Sequence, residues 1–184
     1  MHHAAFSNKT APLRRQTDAM SRRIARPGWR VIAAVVVALV GTCWGSAQAR
    51  VEISAGRSQT PRHGGTDVGF IEWIGDPRPA WKLAWAPAFS LGRFNARDTY
   101  AERLNHAVWV AAGGARLYGW RDLFLGFQVA ATHGKTDALS STYEFVSSLG
   151  WQGRHWQVLV RHISNGELHL PNHGETMLLA GVAF

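Results

Sequence analysis

From residue 50 onward the chain changes polarity every second residue, in eight short stretches separated by clusters of Gly, Pro, Asn, Asp and Ser. That period belongs to β-strands, whose successive side chains point to opposite faces, and no amphipathic helical period competes with it. The stretches fall at about 51–57, 67–74, 81–91, 107–118, 123–132, 141–150, 156–164 and 176–184. In the first, Val51, Ile53 and Ala55 share a face against Glu52, Ser54 and Gly56. In the third, Trp81, Leu83, Trp85, Pro87, Phe89 and Leu91 stand against Lys82, Ala84, Ala86, Ala88 and Ser90. The second ends at Gly75-Asp76-Pro77-Arg78-Pro79, a strong turn signal, and the fourth is interrupted by Gly113-Gly114.

Eight strands in 135 residues fit two architectures. A soluble sandwich or lipocalin-like barrel puts the large apolar face inside. An outer-membrane barrel puts it outside, against lipid, and fills the lumen with small and polar residues. The faces favour the second, because Ala, Gly, Ser, Gln and Lys stand opposite the bulky side chains and suit a narrow eight-stranded interior. Trp73, Trp81, Tyr118, Trp120 and Trp151 lie near segment ends, as interfacial aromatic girdles require. The chain ends at Phe184, an aromatic close typical of bacterial outer-membrane barrels. The expected fold is therefore all-β, an eight-stranded antiparallel transmembrane barrel of the outer-membrane type over residues 50–184. A channel is disfavoured, since side chains fill a lumen of that size.

The formal charge of +8 suggests a nucleic-acid partner until it is located. Residues 1–49 carry seven Lys/Arg against Asp18 alone, so +6 belongs to them and only +2 to the remainder. Arg22, Arg23, Arg26 and Arg30 precede the apolar run 31–40, and Ser46-Ala47-Gln48-Ala49 closes it with small residues. This is the order of a secretory signal cleaved after Ala49. Even extended to Trp44 the run has about 14 residues, short of the ~20 a membrane helix needs. Met20 is an alternative start, because residues 1–19 add nothing a signal requires. Ser21-Arg22-Arg23 is faintly similar to a twin-arginine signal, but the residues after it do not fit. Cys43, the one cysteine, lies in the segment to be removed, and Thr42 is a poor neighbour for a lipid-bearing cysteine. The expected mature chain has no disulfide, is nearly neutral, and has the outer membrane rather than nucleic acid as its partner; a homo-oligomer stays open.

The seventh stretch carries the chemistry. Trp156, Val158, Val160, His162 and Ser164 share its lipid-facing side, with Gln157, Leu159, Arg161 and Ile163 inward. With both termini in the periplasm this strand runs outward, which brings His162 and Ser164 to the depth of the outer-leaflet ester bonds. At i, i+2 they lie roughly 7 Å apart at Cα, within side-chain hydrogen-bonding reach. A Ser–His pair is a nucleophile and its base; the plainer alternative is a pair of interface residues bonding lipid headgroups.

The stretch around them runs His162-Ile163-Ser164-Asn165, five further residues, Pro171-Asn172-His173-Gly174, then Glu175 and the last strand. This resembles the signature of the lipid A 3-O-deacylases, the PagL family. The resemblance covers about 15 residues and is otherwise architectural. It implies an outer-membrane serine esterase that hydrolyses the 3-O-linked hydroxyacyl chain of lipid A, with lipopolysaccharide as its partner and no cofactor. It also implies roles: Ser164 as nucleophile, His162 as general base, and Asn172 and Asn165 as oxyanion donors or their support. Glu175 is expected to orient His162. In the family, however, the acid stands one position further from the His, and Thr176 holds that place here. A one-residue shift on a regular strand moves a side chain to the opposite face, so Glu175 needs a bulge, or a strand that begins after it. Glu167 is the rival acid and reads as a solvated loop residue. His169 and His173 flank the same loop in no standard metal-ligand spacing, so no metal is expected. Arg154 and His155 read as turn or interface residues. The non-enzymatic alternative is a small structural or adhesin-like barrel.

Overall fold

The computed structural model describes residues 49–184 apart from His63. The expected leader, including Met20 and Cys43, lies outside the described residues. The chain runs through β1 (Arg50–Gln59), β2 (Thr66–Ile74), β3 (Arg78–Ala80), β4 (Leu83–Phe94), β5 (Val108–Tyr118), β6 (Leu123–His133), β7 (Tyr143–Gln152), β8 (Trp156–Ser164) and β9 (Glu175–Ala183). Strand β3 is a three-residue ladder on β4, in the connection after β2. The other eight pair antiparallel in a ring, with β9 returning to β1 and β2 joining β4, so the sheet closes. Closure removes every free edge among these eight strands. Each expected segment becomes a strand, and the third continues past residue 91 to Phe94.

Polarity is inverted relative to a water-soluble barrel. Ile53, Ile71, Leu91, Leu125, Phe127, Val129, Leu149, Val160 and Leu178 point outward and stay exposed. An apolar band this continuous is a surface made for lipid rather than water. Inside, Glu52, Glu72, Arg116 and Arg161 are buried to within 2%. They offset the cost of burial by pairing with one another: Arg116 with Glu52 at 2.7 Å and Glu72 at 3.0 Å, and Arg161 with Glu72 at 2.7 Å. Arg50, at the start of β1, adds a contact to Glu52 at 2.6 Å.

The lumen is less uniformly small than expected. Phe70, Phe94 and Phe124 also point inward, and the Arg161 and Arg116 guanidinium groups lie 4.6 and 4.2 Å from the Phe70 and Phe124 ring centres. Glycines across the wall make the room. A Cβ at Gly92 would fall 2.1 Å from Phe70, and one at Gly150 would fall 2.4 Å from Phe124. Tyr118, expected in the outer girdle, turns inward, because it shares the parity of Arg116, and packs 6.2 Å from Phe124. Trp151 does face outward, and Trp81 and Trp120 stand exposed in the connections between strands.

The two ends differ. One carries tight connections at 119–122 and 153–155; the other carries loops at 60–65, 95–107, 134–142 and 165–174. Three of those loops are tied together. Asp137 N–H donates to Glu102 O at 2.9 Å, His173 N–H to Asp137 O at 3.3 Å, and Gly174 N–H to Ala138 O at 3.1 Å. Arg103 meets Asp137 at 2.6 Å, and the His173 ring faces Glu102 at 3.5 Å. The result is a cap across the loop end, against which the last loop and the start of β9 are set.

Candidate active site

Strand β8 delivers His162 and Ser164 to the outer face at the loop end, as its alternation requires. His162 is exposed and Ser164, the last strand residue, is half-buried. The register places His162 between Ser147 of β7 and Thr176 of β9, and Ser164 beside Phe145. Phe145 stacks on Phe127 at 6.2 Å and forms an apolar wall next to the serine.

The His162 ring is held at one nitrogen. Nδ1 lies 2.9 Å from Thr176 Oγ1. In the tautomer with its proton on Nδ1, the ring donates to the threonine hydroxyl and keeps a lone pair on Nε2, the arrangement a general base needs. The opposite ring edge lies over Gly174, where a Cβ would stand 2.8 Å from Cε1 and 3.2 Å from Nε2. Gly174 also has φ +66°, so both its backbone and the histidine leave no room for a side chain. Continuing the β8–β9 register by one step sets Gly174 across from Ser164. The Nε2 edge is therefore turned to the serine end of the strand.

Glu175 is not brought to His162. No bulge intervenes: β9 begins at Glu175, which pairs with Ile163, and regular alternation sends its carboxylate into the barrel. There both oxygens accept from Arg97, each at 2.9 Å, and one also accepts from Ser58 Oγ. Arg97, from the second long loop, also donates to Gly64 O at 2.9 Å, so this buried pair fastens two loops to the top of β9. The expectation that Glu175 orients His162 is corrected accordingly, and Thr176 occupies that position. Glu167 is an exposed turn residue with φ +66°. Arg97 has no signal in the sequence that marks it as the partner of Glu175.

The two asparagines separate. Asn172 is half-buried and accepts the Asn165 backbone N–H on Oδ1 at 3.3 Å, which leaves its amide nitrogen as a donor near the serine loop. The Asn165 side chain is fully buried and donates to Ser140 Oγ at 3.0 Å and His169 O at 2.9 Å. It ties the last loop to the third loop and does not face the outer surface. The outer side thus holds a hydroxyl and an imidazole whose Nδ1 is engaged by a threonine, with the Asn172 amide in the loop that follows the serine. These are the parts of a nucleophilic acyl-transfer site, without a carboxylate on the histidine.

No family model and no curated protein matches the chain. Among solved structures it is similar to the outer-membrane enzyme PagL, with a TM-score of 0.52 and 17% identity over 73% of this chain and 98% of that one. Lower similarity is found to Ail, the attachment invasion locus protein of Yersinia pestis. Its complex with the heparin analogue sucrose octasulfate gives a TM-score of 0.42 and 10% identity over 75% of this chain and 97% of that one. Ail alone gives 0.40 and 9% over the same shares. The likeness to PagL shows the fold: a closed eight-stranded antiparallel barrel of the outer-membrane kind.

Proposed function

We propose that this protein is an outer-membrane esterase that hydrolyses the 3-O-linked hydroxyacyl chain of lipid A, with Ser164 as nucleophile and His162 as its base. The observation that carries the reading is the placing of these two residues, two positions apart, on the apolar outer face of one strand, with Nδ1 of His162 engaged by Thr176. The local signature from His162 to Gly174 and the barrel shared with PagL support the same reading.

In this mechanism Nε2 of His162 removes the proton from Ser164 Oγ as Oγ attacks the ester carbonyl. The oxyanion develops beside the Asn172 amide and backbone N–H groups of the following loop. Collapse of the intermediate expels the sugar oxygen, which takes the proton from His162 and leaves an acyl-serine. Water arriving from the headgroup side gives a proton to His162 as its oxygen attacks the acyl carbonyl; the bond to Ser164 Oγ then breaks, Oγ takes the proton back from His162, and the fatty acid is released. Thr176 orients the ring but brings no negative charge to the imidazolium, so a slow enzyme is expected. A lipid-facing site suits a substrate that never leaves the leaflet.

The test is the lipid A mass spectrum of a Gram-negative host expressing the protein. Loss of one hydroxyacyl group, abolished by Ser164→Ala and by His162→Ala, supports the reading. An unchanged spectrum with a folded, membrane-inserted barrel refutes it. One observation favours the second reading, a non-enzymatic structural or adhesin-like barrel: the carboxylate beside Thr176 in sequence, Glu175, is locked inside by Arg97.

A further inference from the structure

Two depressions meet at Arg57 and Gly65 on the outer side of the barrel. One, of about 500 Å³, lies between β1, β9 and β8 and is lined by Val160, Leu178 and Thr176, the residue that holds His162. The other, of about 560 Å³, lies toward the loops and is polar, with Arg62, Asn95, Asp98 and Thr99 in its wall. Arg57 stands where the apolar depression gives way to the polar one.

Its own setting is unusual. Arg57 pairs with Leu178, which pairs with Val160, so a guanidinium continues an apolar outward row. The strand ends two residues later, at Gln59. A cation facing lipid costs about 2–4 kcal/mol at the bilayer midplane but only ~0–1 near the interface, the depth this strand end occupies. Nothing holds the group tightly. Asp67 is 3.6 Å away with both side chains 71% exposed, and Gly65 O accepts at 3.4 Å. Such an exposed pair contributes little and exchanges readily for a better anion.

We propose that Arg57 is the anion-recognition residue of a lipid site: it binds a phosphate of an acylated glycolipid whose chains lie over Val160 and Leu178. The occupant follows from the division of polarity at this point, an apolar floor toward the membrane and, toward the loops, a polar rim where Arg57 and Arg62 stand with hydroxyls and with Asp67 and Asp98. A planar guanidinium fork matches two phosphate oxygens at once. By ordinary sheet spacings Arg57, level with Val160 two strands away, lies roughly 12 Å from His162 and roughly 16 Å from Ser164 at Cα, a span that an extended guanidinium and a glycolipid headgroup can cover together. A headgroup gripped by its phosphate can therefore rest with an ester beside Ser164. In naming the charged group of the substrate, the proposal rests on the esterase reading above.

The test separates binding from turnover. Full-length Ser164→Ala protein in mixed micelles is titrated with phosphorylated lipid A and with the same lipid after removal of its phosphates. Arg57→Gln is expected to weaken the phosphorylated lipid about tenfold and leave the dephosphorylated one unchanged, with Arg57→Lys intermediate. Asp67→Asn is expected to strengthen the phosphorylated lipid alone. Arg93→Gln, at an outward cation of the same end that lies over Trp109, is expected to alter neither. Equal losses on both lipids, no loss on either, or full displacement of the lipid by an equal concentration of inorganic phosphate overturns the proposal. If protein with Ser164 intact hydrolyses neither lipid while the binding difference persists, the esterase reading falls and the anion site stands.

Discussion

Thr176 Oγ1 lies 2.9 Å from Nδ1 of His162, in the position a carboxylate holds in a Ser–His–acid triad. The carboxylate next in sequence, Glu175, is on the other side of the barrel wall. A strand that alternates without interruption admits only one of these neighbours to the outer face, and here it admits the hydroxyl.

Removing that hydroxyl with Thr176→Val is expected to lower kcat about tenfold with little change in KM, the effect of one orienting hydrogen bond. Thr176→Glu puts a carboxylate on the same face. It is expected to raise kcat above the parent, since a nearby anion stabilises the imidazolium that forms as the serine attacks. A Thr176→Glu protein no faster than Thr176→Val removes the orienting role from this position.

Glu175→Gln leaves Arg97 buried beside a neutral amide. Breaking a buried pair from one side costs about 3–5 kcal/mol, so urea unfolding in micelles is expected to shift markedly. Where the variant remains folded, its turnover is expected to fall less than that of Thr176→Val. Replacing both partners, Arg97→Met with Glu175→Leu, is expected to recover most of the stability. Lost turnover with unchanged stability would instead return Glu175 to catalysis.

Val129, near the middle of β6, points outward and is 48% exposed. In a water-soluble barrel Val129→Arg would change stability by no more than about 0.5 kcal/mol. Against lipid it is expected to cost about 2–4 kcal/mol. Folding titrations into phospholipid vesicles measure the difference directly.

The strands and their faces were legible because each is a local fact: Val51, Ile53 and Ala55 declare a period of two without reference to the rest of the chain. Alternation on a regular last strand likewise sets Thr176 and Glu175 on opposite faces, and the observed register agrees. What was not legible depends on pairs that meet only after closure. Arg97 and Glu175 come together across the loop end, and nothing near either residue announces the other. Phe70 fits inside because Gly92 faces it from a neighbouring strand. Tyr118 follows Arg116 inward although aromatic residues at strand ends commonly face the interface. The Asn165 amide is claimed by Ser140 and His169, a competition invisible to a motif that records only spacing.

Gly174 is where the barrel surface and the loop cap share an atom-scale boundary. Its N–H is fixed to Ala138 O in the third loop, while the space its missing side chain leaves is taken by the His162 ring. The imidazole thus takes its bearing from a loop that contributes nothing to the chemistry. Changes within 136–139 that shift Ala138 are felt at the base as a displaced ring, so the barrel can keep its full stability while the site drifts out of alignment.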